Sequence, residues 1–99
     1  MITITAIIRA KRGQETALQD ALSEVAAHVA AHEPGTIGFH VSQSLEEKAV
    51  FTTYERFVDE AAKDTHNGSD AVAQFFARAP DLIDGEVMLH TCREVTEDG

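Results

Sequence analysis

The run Ala49-Val50-Phe51-Thr52-Thr53-Tyr54-Glu55-Arg56-Phe57 passes almost directly into Asp59-Glu60-Ala61-Ala62-Lys63-Asp64-Thr65-His66. β-Branched and aromatic side chains suit a pleated, half-buried surface. The polar, Ala-rich stretch suits a helix. The junction therefore predicts a central strand that delivers a short helix from about Val58 to Thr65, broken at Asn67-Gly68.

The remaining chain supplies partners for that strand. Ile2, Ile4, Ala6, Ile8 and Ala10 alternate with Thr3, Thr5, Ile7 and Arg9, the period-two pattern of a first strand with one strongly apolar face. Its second face carries Ile7 beside Thr5, so something must cover that side as well. Leu18, Leu22, Val25 and Val29 recur at helical spacing up to about His32, where Glu33-Pro34-Gly35 stops the helix. Thr36 to Ser44 reads as a second strand with Ile37, Phe39 and Val41 on one face, joined through Leu45-Glu46-Glu47-Lys48 to the central strand. Ser69 is read as the N-cap of a third helix, in which Val72, Phe75, Phe76 and Ala79 form the apolar side and Pro80 marks the end or a distortion. Val87, Leu89 and Thr91 alternate with Met88, His90 and Cys92 in a last strand, and the acidic tail 94–99 is expected to be loose.

The order β-α-β-β-α-α-β in a single domain spanning 1–99 predicts an α+β fold, a ferredoxin-like four-stranded antiparallel sheet with helices on one face. Such a sheet leaves its other face bare, and 99 residues enclose only a modest core, so a homodimer packed sheet to sheet is expected.

Seventeen acidic residues against eight basic ones give a formal charge of −9. A phosphate backbone or an anionic membrane surface would be repelled, so neither nucleic acid nor membrane is an expected partner. No tract approaches the roughly 18 apolar residues of a membrane-spanning helix. Arg9, Lys11 and Arg12 follow the first apolar run, the reverse of a signal peptide, and the single cysteine, Cys92, has no intrachain partner; both point to the cytoplasm.

Ile2-Thr3-Ile4-Thr5-Ala6, Arg9-Ala10-Lys11-Arg12-Gly13, Glu33-Pro34-Gly35, Tyr54-Glu55-Arg56-Phe57 and His66, in this order, resemble the antibiotic biosynthesis monooxygenase family over nearly the whole chain. The resemblance implies a dimeric α/β-barrel. It also implies oxidation of a quinol, anthrone or similar polycyclic phenol by molecular oxygen, with no metal and no other cofactor. In that chemistry the substrate anion reduces oxygen directly, and the protein supplies a dry pocket and a proton acceptor. The sequence departs from the family pattern at Phe57, Phe39 and Ala71, where relatives commonly carry Trp, Tyr and a second His. The haem-degrading branch is not matched, because its Asn, Trp and His positions fall on Ala6, Thr65 or His66, and Phe76.

His66 stands at the family's helix-end histidine and is the candidate catalytic proton acceptor; the other reading is a solvated His that complements a helix C-terminus. Phe39, Tyr54, Phe57 and Phe75 are the candidate substrate-binding residues, with Tyr54 otherwise a core tyrosine. Period two places Tyr54 and Arg56 on one strand face and Glu55 and Phe57 on the other. Glu55 is read as the ion-pair partner of a basic strand neighbour such as Arg9. Arg56 is read as structural, His28 and His32 as a solvated helix edge, and Cys92 as a small core residue. Two other functions fit the same fold: an isomerase acting on a small carbonyl compound through His66, and a catalytically silent dimeric ligand-binding module.

Overall fold

A computed structural model describes residues 1–96. The apolar face of β1 (Ile2–Arg9) lies under α1 (Glu15–His32), and β2 (Thr36–Gln43) and β3 (Val50–Phe57) form a hairpin beside it. Then come α2 (Glu60–Asn67), α3 (Asp70–Leu82) and β4 (Met88–Arg93). All pairings are antiparallel in the order β2-β3-β1-β4, so the expected α+β, ferredoxin-like sheet is the one observed.

Strand periodicity decides what is buried. Ile4, Ala6 and Ile8 of β1 and Phe51 of β3 are buried under the helices, and Ala6, Ile8 and Phe51 share one core with Leu18, Leu22, Val25 and Val29 of α1 and Phe75 and Leu82 of α3. The opposite face carries Ile7, Tyr54 and Met88 in the open.

Several local expectations are revised. β2 has an irregularity between Thr36 and Gly38, which leaves Ile37 exposed instead of in line with Phe39 and Val41. α2 starts two residues later than expected, because Asp59 caps it by accepting the Ala62 N–H at 2.8 Å, and it runs on through His66 and Asn67. α3 continues past Pro80 to Leu82. Cys92 is exposed, since β4 is an edge strand covered on neither face. Of the tail, Glu94 is tied down: its N–H donates to the Met1 carbonyl at 3.0 Å, and its carboxylate takes two bonds from Arg56, at 2.6 and 3.0 Å. Those bonds from Arg56 hold the Glu94 carboxyl below its ordinary value. Residues 97–99 lie outside the described residues. Among the described residues no helix is long and apolar enough to cross a membrane.

Candidate active site

Three buried titratable side chains from three separate segments meet beneath the helices. Glu33 follows the end of α1, Glu55 lies on the helix-covered face of β3, and His66 occupies the last turn of α2. Gly35 permits the meeting: a Cβ there would stand 2.8 Å from the Ala62 Cβ, so a side chain would push α2 off the loop that carries Glu33. Asp59 fixes the start of α2, and the helical period then turns His66 inward.

Both nitrogens of the His66 ring face carboxylates. Nδ1 is 2.9 Å from Glu33 Oε1, and Nε2 is 3.2 Å from Glu55 Oε1. Each carboxylate is held in turn by a threonine hydroxyl, Thr36 donating to Glu33 Oε1 at 2.9 Å and Thr53 to Glu55 Oε2 at 2.8 Å. A neutral imidazole would set a ring lone pair against one of these anions; the imidazolium donates to both. Burial by itself lowers the His66 pKa, but the hydrogen bonds from the ring to Glu55 and Glu33, with their negative charge, outweigh it and leave the pKa raised above the ordinary histidine value. The geometry and the direction of the shift thus both favour an imidazolium between the two carboxylates. Aromatic rings enclose it, with Phe39 at 5.5 Å and Phe57 at 5.4 Å between ring centroids.

Glu55 and His66 form the polar end of an otherwise apolar cavity of about 70 Å³, walled by Ile4, Ile8, Phe39 and Phe75 among others. Its mouth carries Phe76 and Leu89, which are 51% and 48% exposed, and the Asn67 side chain also borders it. A cavity of about 150 Å³ is what encloses a benzene ring. This one has about half that volume.

The sequence matches the family model for antibiotic biosynthesis monooxygenases over residues 1–78, a span that contains Glu33, Glu55, His66 and Phe75. The chain belongs to the antibiotic biosynthesis monooxygenase family. A Shewanella oneidensis protein of known structure is 30% identical, with a TM-score of 0.81 over 92% of this chain and 89% of that one. A Mycobacterium tuberculosis protein superimposes with a TM-score of 0.89 at 18% identity, covering 99% of this chain and 98% of that one. A candidate antibiotic biosynthesis monooxygenase from Caulobacter crescentus gives 0.88 at 21% identity, covering 96% and 90%. The last two establish shared fold only. No curated protein matches the sequence.

Within this monooxygenase-family fold, His66, Phe39 and Phe75 come together at the cavity. Phe57 does not line it: the ring is fully buried and packs against His66. Tyr54 is not in it either. Strand alternation turns Tyr54 to the open face, 44% exposed and opposite His40 and Thr5. The expected Arg9–Glu55 pair is absent for the same reason, since Arg9 and Glu55 project from opposite faces. Arg9 binds Glu47 at 2.8 Å instead. His66 is neither solvated nor a free acceptor, because both ring nitrogens are already engaged.

Sequence reasoning missed Glu33 and Asn67 and gave Glu55 the wrong partner. Period two had placed Glu55 beside Phe57 on one face, a signal that would have separated it from Arg9. Glu33 gave no such signal: a glutamate before Pro-Gly reads as a helix stop, and its burial depends on α2 closing over it.

Proposed function

We propose that this chain is a cofactor-independent monooxygenase that oxidises a small, single-ring quinol with molecular oxygen. The observation that carries the reading is the buried Glu55 carboxylate, which lines an aromatic-walled cavity 3.2 Å from the His66 ring. Family membership supports it. A carboxylate has more acceptor sites than the His66 and Thr53 contacts use, so Glu55 can take a hydroxyl proton from a ring lying in the mouth. The His66 cation then offsets the phenolate charge in a poorly solvated site. The phenolate gives one electron to oxygen, the radical pair joins in a carbon–oxygen bond, and loss of water leaves a carbonyl. One hydroquinone and one oxygen molecule give one hydroxyquinone and one water, so no external reductant is consumed. His66 acts here as the charge partner, and Glu55 replaces it as proton acceptor.

Oxygen consumption by chelator-treated protein with single-ring hydroquinones, autoxidation subtracted, tests this. The expected result is a protein-dependent rate with one labelled oxygen atom in the product; no rate above background would discard the reading. The small cavity also favours a second one, an isomerase in which Glu55 takes a proton from carbon next to a small carbonyl group.

The same proposal includes a homodimer closed over the open sheet face. That face exposes Ile7, Tyr54 and Met88, and none of the residues its strands present there is acidic, although the chain carries 17 acidic residues. Self-association through it is therefore not opposed by like charge. Sedimentation equilibrium should return twice the 10.8 kDa chain mass. A single 10.8 kDa species at all loading concentrations would rule the dimer out.

A further inference from the structure

One oxygen of the buried cluster has no hydrogen-bond partner among the described residues. Glu33 Oε2 is buried, and the nearest group of suitable chemistry is His28 Nε2 on α1, 3.3 Å away. The Glu33 side chain is only 4% exposed, and a carboxylate oxygen buried in this way is ordinarily paired. His28 itself is 30% exposed and lies in the wall of a separate surface groove of about 490 Å³ between α1 and α3. A sequence of contacts, 3.2, 2.9 and 3.3 Å, thus connects Glu55, His66, Glu33 and His28, with only the last in touch with solvent.

We propose that His28 is a positioning residue of the Glu55–His66 site: its protonated ring donates to Glu33 Oε2, seats that carboxylate against His66 and cancels the negative charge the three buried groups leave over. Without it, two carboxylates and one imidazolium sum to −1 in a desolvated place, an arrangement that costs free energy unless compensated. With it the four groups are neutral. The other charged groups around His28 do not do this. Glu24 on the preceding turn is taken by Arg78 of α3 at 2.8 Å, the His32 ring lies tilted beside that of His28 with centroids at 5.1 Å, and Asp70 of α3 borders the groove.

The proposed function gives this device a consequence, and to that extent rests on it. When His28 loses its proton to the groove, the site carries one more negative charge, and Glu55 accepts a substrate proton more readily. Hydroquinone oxidation should then rise by about tenfold as that positive charge is lost, the usual effect of one nearby charge. Gln at position 28 keeps a donor for Glu33 but cannot titrate, so His28→Gln should retain activity and lose that step in the pH–rate profile. His32→Gln should retain it.

The deciding measurement needs no turnover. In ¹⁵N-histidine-labelled protein, the His66 N–H resonances are followed against pH. Two steps are expected in the wild type, one from His28 acting through Glu33 and one from His66 itself, with the first absent in His28→Gln and present in His32→Gln. A single step in the wild type, or two steps that survive in His28→Gln, overturns the proposal. Two steps without oxygen consumption would leave His28 in its role and remove only the proposed reaction. Oxygen consumption with a single step would do the reverse.

Discussion

Glu55→Gln is expected to cut hydroquinone-dependent oxygen consumption by about 10²- to 10⁴-fold, the range for losing a positioned general base. Gln has nearly the same shape but a single acceptor oxygen, so it can keep the bond from His66 Nε2–H while its NH2 donates to the Thr53 hydroxyl oxygen, and the loss would fall mainly on proton transfer. The variant also loses one of the two anions that raise the His66 pKa. A group whose folded pKa lies above its unfolded value stabilises the fold fully below the unfolded value, about 6.5 for histidine. That contribution disappears as pH rises through the folded value. The stability gap between wild type and Glu55→Gln should therefore be wider at pH 5.5–6 than at pH 9, as denaturant midpoints would show. An unchanged turnover rate would remove Glu55 from the chemistry. A gap that widens with pH would contradict the charge state assigned to His66.

Phe57→Ala should lower stability by about 3–5 kcal/mol, the cost of emptying a large aromatic site in a packed core. Phe57 is 0% exposed, pairs with Ile2 across the β1–β3 ladder and packs against the His66 ring. Its removal would open a void beside an imidazolium that depends on exclusion of water for strong bonds to Glu33 and Glu55. Equilibrium denaturation should show the loss together with a His66 pKa closer to the ordinary histidine value by NMR, as the bonds to Glu33 and Glu55 weaken and the ring is rehydrated. The sequence had placed Phe57 at a cavity wall, where the substitution would mainly raise the Michaelis constant. A change below about 1 kcal/mol with a raised Michaelis constant would restore that reading.

The two faces of the sheet were legible because strand alternation is a local property. Ile4, Ala6 and Ile8 needed no tertiary information to be assigned together, nor did Glu55 with Phe57. The four-stranded order followed from short connections and element types. Phe39 and His66 were named for the site with the family resemblance, Phe75 from its place on the helix that faces the central strand, and the fold brings all three to one cavity.

Local periodicity settles which residues share a face: the periods of strand and helix are written in a few neighbouring residues, as in Ile4-Thr5-Ala6 or Leu18 and Leu22. Only the tertiary structure decided the character of the site. Glu33 and His66 lie 33 residues apart, and their contact depends on a helix seated against Gly35. Whether a histidine is an acceptor or a cation depends on the charges within a few ångströms and the water excluded around it, and both are set by long-range packing that local periodicity does not encode.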